Sequence, residues 1–378
     1  MLSLAIAFLV SLLFSGVIIR LSRTRALPWD DHDLAGVQKN HARPVPRVGG
    51  LAIALGLVAL VAWVSLTQAG HAREMALVFA CGLPALLAGL AEDLTKQVGI
   101  RTRLLATAAS GALAFFLLGA QLDSVSLPGV DWLMSFTAFS LLFTMLAMAG
   151  VANAVNIIDG YNGLASVVVA ISLLSLAYVG WQAGDTLVLS VALAGVGAIL
   201  GFLLWNWPRG LIFLGDGGAY FIGYLVAVLS FLLVARHRGV VSPWYPFLLF
   251  IYPVFETVFS IWRRKVVRGA SPGLPDGLHL HQLVFRRLVR WAVGRQDAAS
   301  LTLRNSLTAP YLWLLSSLAA IPATLFWRYP FVLMGFVAMF CVLYVWLYMR
   351  MVRFRALRWL MIKPRAMGGA LSRFKDGL

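Results

Sequence analysis

Residues 331–348 read FVLMGFVAMFCVLYVWLY, eighteen positions without one charged side chain. A helix of this sequence is apolar all round, and its length approaches the roughly 20 residues that cross a hydrocarbon core. Similar runs recur at Leu2–Ile19, Leu51–Leu66, Leu104–Leu118 and Leu133–Ala149. Of the 378 residues 61% are hydrophobic and only 12% charged, and mean hydropathy is +0.85. A soluble domain averages nearer half apolar and a quarter charged, so lipid must solvate the excess. The two cysteines, Cys81 and Cys341, lie inside apolar runs and suggest neither a disulfide framework nor a zinc site.

Apolar runs broken by charge, Gly and Pro predict an all-α membrane protein of about eleven transmembrane helices. They fall near 2–19, 49–66, 75–91, 104–120, 132–149, 164–180, 186–204, 218–235, 244–262, 308–326 and 331–349, with prolines in the third and ninth. In the first run the earliest positive charge, Arg20, follows the apolar stretch. That order suits a retained helix with its N-terminus outside better than a cleaved signal peptide.

The distribution of Lys and Arg orients the spans. Placing 20–48, 92–103, 205–217, 263–307 and 350–378 inside collects 27 of the 31 basic residues on that side. Only Arg73, Arg236, Arg238 and Arg328 remain outside. The expectation is a periplasmic N-terminus and a cytoplasmic C-terminus. One polytopic transmembrane domain over 1–349 would carry loops at 20–48, 92–103, 150–163, 205–217 and 263–307, followed by a basic tail at 350–378. The net charge of +16 is then mainly a topology signal, with some attraction to anionic lipid headgroups. Nucleic acid is not expected as a partner, because no soluble basic domain carries the charge.

Fifteen Asp and Glu residues are few enough to place individually. Asp30, Asp31, Asp33, Asp297 and Asp376 fall in polar inside segments, and Glu74, Asp123, Asp131 and Asp185 in outside loops. Glu92, Asp93, Asp159, Asp216, Glu256 and Asp276 gather at or near inside ends of spans, with Glu256 within one. A carboxylate at the centre of a membrane helix costs about 2.5–3.5 kcal/mol on insertion scales. Several converging on one leaflet from separate loops argue for a shared polar cavity.

Three motifs carry most of the chemistry. Asn153-Ala-Val-Asn-Ile-Ile-Asp-Gly-Tyr-Asn-Gly163 repeats Asn153, Asn156, Asp159 and Asn162 every third residue, so neighbours share a helix face though the first and last need not. A helix-ending turn would account for its glycines but not for this ladder. Phe213-Leu-Gly-Asp-Gly-Gly218, with Asn206-Trp-Pro upstream, places Asp216 just before a helix start. An N-cap is one reading of Asp216. A magnesium and phosphate site is the other, since magnesium takes one or two carboxylates and completes its shell with water and phosphate. Pro275-Asp-Gly-Leu-His-Leu-His281 follows the basic cluster Arg263, Arg264, Lys265 and Arg268. Zinc would need further Cys or His ligands nearby, so phosphate recognition by His with Arg or Lys fits better. Lys39 to Gly50 forms a basic, proline-stiffened lead into the second span. Glu92-Asp93 with Lys96 adds a pair of repelling acids that a cation would neutralise.

Taken together, these motifs resemble the polyprenyl-phosphate N-acetylhexosamine-1-phosphate transferases, relatives of the lipid I synthase and of O-antigen and teichoic-acid initiating enzymes. The matches run in order through most of the chain: Pro46-Arg-Val-Gly-Gly50, Glu92-Asp93, Asn153 to Gly163, Asn206 with Phe213-Leu-Gly-Asp216, and Asp276-Gly-Leu-His-Leu-His281. The resemblance implies a multi-pass protein of the bacterial inner membrane with a site on the cytoplasmic face. There the phosphate of undecaprenyl phosphate would attack the β-phosphorus of a UDP-N-acetyl-sugar, release UMP and initiate a surface polysaccharide such as O-antigen or capsule. It implies a magnesium requirement, with manganese as a substitute, contact with membrane lipids, and room for a homodimer.

Carried over by position, Asp216 is the implied metal ligand, with Asp159 and Asn156 near the metal and pyrophosphate. Glu92 and Asp93 would assist the lipid phosphate. Asn206, Phe213, Lys96, Asn162, His279 and His281 would bind the nucleotide sugar, with Phe213 stacking on uracil. The chain departs from the family pattern at Asn162, where a second Asp is usual, at Gln282, where a third His is usual, and at Glu92, one methylene longer than Asp. These departures suggest a subgroup distinct from the lipid I synthase. An ion-coupled secondary transporter using membrane-embedded carboxylates is the alternative, and a catalytically dead scaffold a third.

Overall fold

The computed structural model describes residues 2–24, 29–31, 44–67, 71–269, 276–289 and 298–353. Asp33, Lys39, Arg43, Pro275, Asp297 and the tail beyond Arg353 lie outside them. The described residues are helical apart from connecting loops and one short antiparallel ribbon, β1 (Asp30–Asp31) with β2 (Val45–Pro46).

The helices are α1 (Leu2–Thr24), α2 (Gly49–Leu66), α3 (Ala72–Thr95), α4 (Ile100–Leu118), α5 (Pro128–Met134), α6 (Thr137–Ile158), α7 (Leu164–Ala183), α8 (Thr186–Asn206), α9 (Gly215–Arg236), α10 (Trp244–Leu249), α11 (Ile251–Trp262), α12 (Leu280–Val284), α13 (Ala298–Leu325) and α14 (Pro330–Val352). Among the described residues ten helices are long and apolar enough to cross a membrane. The eleventh expected span, 244–262, is instead broken at Phe250 into α10 and α11. Pro253 explains the break, because its ring opposes the carbonyl four residues back and it has no N–H to donate there. A π-helical turn, Arg263–Val267, continues α11.

Several ends also reach further than hydropathy alone predicts. α3 runs through Glu92 and Asp93 to Thr95, α6 through Asn153 and Asn156 to Ile158, and α9 starts at Gly215. Thus part of the expected 150–163 loop is helix, and Asp216 lies inside a first turn. The expected 263–307 loop is likewise interrupted by α12, and α13 begins at Ala298. Polar residues continue a helix here because the neighbouring protein satisfies side chains that lipid would not.

Burial sorts the helices by depth. In α9, 94% of the membrane-length window is buried inside the protein, against 22% in both α1 and α14. α9 is therefore the central post, and large apolar residues on the outer helices, Leu13 and Phe331 among them, face outward. At the site end α2 crosses α9 very closely: a Cβ on Gly50 would lie 2.2 Å from the Cα of Gly218. Gly50→Val must push these helices apart, and overpacking of this kind costs about 1–3 kcal/mol. A lower thermal unfolding midpoint in detergent is expected; an unchanged midpoint would show that the crossing can yield.

Candidate active site

The site begins with backbone. Phe213 N–H donates to the Pro46 carbonyl at 2.8 Å, while Gly49 and Gly50 N–H donate to the Phe213 and Leu214 carbonyls at 2.9 Å each. These bonds join the Pro46–Gly50 and Phe213–Gly218 motifs into one unit. Gly215 turns the chain at φ +76°, and a Cβ there would lie 1.9 Å from the Arg47 carbonyl oxygen. Only glycine satisfies both the left-handed turn and the close approach.

The turn delivers Asp216 into the first turn of α9. Asp93, 1% exposed, accepts from the Asp216 and Gly217 N–H groups, one on each carboxylate oxygen, both at 2.9 Å. A helix start buried in protein needs such acceptors, and a carboxylate there also meets the favourable end of the helix dipole. The capping group for this helix is thus Asp93 on α3, and the Asp216 side chain is left to face the cavity. Asp216 accepts from Asn156 Nδ2 at 3.0 Å, pairs closely with Arg103, and lies 3.6 Å from Arg47. Arg47 also stands 3.7 Å from Asp93.

The end of α6 and the turn after it separate the polar ladder by role. Asn153 accepts from the Tyr220 hydroxyl at 3.1 Å, within the helix packing. Asn156, Asp159 and Asn162 all line the cavity. Burial pushes the Asp159 carboxyl well above the usual carboxylate range; Arg47 opposes this and the charge on Asp93 adds to it. Asn162 N–H donates to Asn305 Oδ1 at 2.7 Å, and Asn162 Nδ2 donates to the Ser306 hydroxyl at 3.1 Å. Asn206 bridges two loops, accepting from Gly163 N–H at 2.6 Å and donating to the Ile212 carbonyl at 2.7 Å.

His279 and His281 come from the segment entering α12. Their rings stack 5.1 Å apart and 6° from parallel. Asp276 at the start of this segment accepts from the Ser260 hydroxyl at 2.9 Å and pairs closely with buried Arg263, which also donates to the Tyr348 hydroxyl. Burial works to raise the Asp276 carboxyl, but Ser260, His279, Arg263 and the Leu278 N–H outweigh it and hold the group below its ordinary value. Burial lowers the His281 imidazole, with Glu256 opposing and His279 reinforcing the shift.

These elements enclose a cavity of about 420 Å³. Asn156, Asp159, Asn162, Asn206, Phe213, Asp216, His279 and His281 line it, together with Arg47, Arg103 and Asn305. Glu92 and Lys96 are not in its lining. Glu92 closes the turn after α3 by accepting from Val98 N–H at 2.7 Å, and Lys96 ends that helix at φ +57°. Asp93 lies behind Asp216. Sequence reasoning singled out neither Arg103 nor Asn305. The signal for Arg103 was its place at the end of a short inside loop, whereas Asn305 sat in what reads as undifferentiated loop.

Among the described residues no three His, Cys, Asp or Glu side chains form a protein-only metal cage. The residue types do suit a hard cation: Asp216 and Asp159 both line one cavity, and magnesium needs only one or two carboxylates. A cation would also offset the burial that disfavours a charged Asp159.

Comparison with known proteins places this geometry. The sequence pattern described as glycosyl transferase family 4 matches residues 75–234, which include Asp93, Asn156, Asp159 and Asp216. The probable undecaprenyl-phosphate N-acetylglucosaminyl 1-phosphate transferase of Bacillus subtilis is 30% identical over 283 residues, covering 74% of this chain and 77% of its own. The undecaprenyl-phosphate alpha-N-acetylglucosaminyl 1-phosphate transferase of Thermotoga maritima is 30% identical over 254 residues, 67% of this chain and 72% of its own. The decaprenyl-phosphate N-acetylglucosaminephosphotransferase of Mycobacterium tuberculosis is 33% identical over 283 residues, covering 65% and 67% respectively. The fold and the family match together are those of a multi-pass membrane transferase. The chain belongs to glycosyl transferase family 4.

Asp93→Asn offers one acceptor in place of two, leaving an N–H of Asp216 or Gly217 unpaired. The expected loss is about 1–3 kcal/mol of stability, read as a lower unfolding midpoint in detergent. Lost activity with unchanged stability would instead mark Asp93 as a proton acceptor.

Proposed function

We propose that the protein transfers N-acetylglucosamine 1-phosphate from UDP-N-acetylglucosamine to undecaprenyl phosphate and releases UMP. The observation that carries this reading is one cavity lined by two carboxylates, two arginines, two histidines and the aromatic rings of Tyr161 and Phe213. It combines acids for a cation, bases for phosphates and an apolar surface for a nucleobase. Its volume lies within the range of about 300–1,000 Å³ usual for small-molecule sites. The names of the relatives supply the sugar and the lipid class.

In the proposed reaction an oxygen of the lipid phosphate forms a bond to the β-phosphorus. The bond from that phosphorus to the oxygen bridging the α-phosphate breaks, and UMP carries the electron pair away. Phosphoryl transfer depends chiefly on positioning and charge neutralisation. Arg47, Arg103 and the histidine pair would meet the phosphate oxygens, and Phe213 would stack on uracil. Asp216 and Asp159 would hold magnesium, or manganese in its place, which when bound neutralises charge building on the pyrophosphate. A phosphomonoester has a second pKa of about 6, so the nucleophile needs no strong base at neutral pH. That agrees with an Asp93 whose two oxygens are engaged at the start of α9. Part of the reading is also a bacterial inner membrane location, a cytoplasmic cavity and initiation of a surface polysaccharide. The basic residues, most of which fall on the site side of the spans, support that orientation.

An ion-coupled transporter would hold its acids near the membrane midplane on broken helices. Here Asp159 and Asp216 sit where α6 ends and α9 begins.

Purified protein with UDP-N-acetylglucosamine, undecaprenyl phosphate and Mg²⁺ is expected to release UMP and form the lipid-linked sugar phosphate, both detected by mass spectrometry. Folded protein that gives no UMP with any UDP-N-acetyl-sugar would refute the reading. Chelation with EDTA should stop turnover, and added Mg²⁺ should restore it. Asp216→Ala and Asp159→Ala should each lower the rate by at least about 100-fold, the scale of a lost electrostatic contact to a transition state, while membrane insertion is unchanged. Near-normal rates would remove these residues from the site.

A further inference from the structure

Glu256 has no place in the mechanism above, yet it is 1% exposed. It projects from α11, directly after the break at Phe250. Its Oε1 atom accepts from Leu280 N–H at 2.6 Å and lies 3.4 Å from His279 Nδ1 and 3.5 Å from His281 Nδ1. One carboxylate oxygen therefore faces the same edge of two parallel rings and the backbone between them. The opposite edge of His281 is directed to the cavity, where its Nε2 would lie 3.9 Å from a Cβ placed on Gly160. His279 Nε2 stands 3.7 Å from Asp276 Oδ2, which Arg263 already neutralises. Tyr161 meets His281 edge-on, and Tyr252 and Tyr344 lie around Glu256.

A carboxylate this deeply enclosed is costly unless it is paired and hydrogen-bonded. Its contacts are the Leu280 N–H at hydrogen-bond distance, the Tyr344 hydroxyl, and the two imidazole nitrogens at ion-pair distance. Packing alone would be served as well by an apolar side chain of similar size, which would bring no charge to the rings.

We infer that Glu256 is a positioning residue: its carboxylate holds a proton on Nδ1 of both His279 and His281 and supports their cationic form, so that His281 offers an Nε2–H donor to an anionic phosphate in the cavity. The inference rests on the cavity being a nucleotide-sugar site only for the identity of that phosphate. A metal-binding histidine is held in the same manner, by a carboxylate on the ring nitrogen away from the ligand; here the ligand is an anion, so the carboxylate must favour the doubly protonated ring.

The test is Glu256→Gln, which keeps the volume and an acceptor for Leu280 N–H but removes the charge. Nitrogen NMR of ¹⁵N-histidine-labelled full-length protein in detergent, with the two rings assigned by single His→Gln variants, gives their titration midpoints without substrate. Removing the carboxylate should move both midpoints to lower pH by about one unit. The alkaline limb of the pH–rate profile should move the same way, and kcat should fall about tenfold with KM for the UDP-sugar changed less than threefold. Glu256→Asp, which retains the charge, should recover much of the rate and the titration midpoints. Unchanged midpoints in Glu256→Gln would overturn the inference and leave Glu256 a packing residue. Should that variant not fold, Glu256→Asp decides by itself: its charge is one methylene further away, so midpoints displaced from wild type to lower pH by less than about one unit support the inference and unshifted ones overturn it. Failure of the proposed function would look different, with no UMP from wild-type protein whatever the histidines do.

Discussion

The bond pair from the start of α9 to Asp93 is the contact on which the rest of the site depends. α9 is the most enclosed of the membrane-length helices among the described residues, and its first N–H groups emerge inside protein and need acceptors there. Asp93 receives two of them and in doing so locks α3 to α9 at the depth of the cavity. Because the cap comes from another helix, Asp216 does not have to fold back onto its own backbone. Its carboxylate can then point at Asn156 and the two arginines. One acid is used up in structure, and its neighbour in space is left to face the cavity.

Charge balance shapes the remainder. Arg47 reaches both Asp93 and Asp216, and Arg103 reaches Asp216 while lying 5.8 Å from the centre of the Tyr220 ring. Two carboxylates near a membrane boundary would be costly alone, and each arginine offsets part of that cost. On the far side, the α10–α11 break and the π-helical turn beyond it bring Glu256 and Arg263 to the histidine segment. Asp276 with Arg263 fixes where that segment starts, and Glu256 fixes how its rings stand. Side chains contributed by a short irregular segment are thus held by residues of the helical scaffold.

Much of this was legible beforehand, and for identifiable reasons. Ten of the expected spans are present because lipid tolerates so few polar groups that apolar run length nearly dictates helix number. Asp159, Asp216, His279 and His281 stood out because acids and histidines are rare in such a chain, and all four line one cavity. Local pattern decides less where packing competes with it. Residues 244–262 are apolar enough to span, yet Pro253 divides them. Adjacent Glu92 and Asp93 also part company, because a helix turns its neighbours by about 100°: Asp93 faces α9 while Glu92 meets the loop at Val98.

By itself, then, the sequence determined that the chain is a multi-pass helical bundle, that its scarce acids collect at one end, and which motifs resemble a transferase. These follow from composition and spacing, which lipid and helix geometry read directly. Only the tertiary structure decided that Asp93 caps the helix bearing Asp216, that Arg103 and Asn305 join the cavity, and that Glu256 stands behind two histidines. Each of those is a contact between residues far apart in the chain, and no local periodicity encodes which distant backbone N–H or imidazole a buried carboxylate will meet.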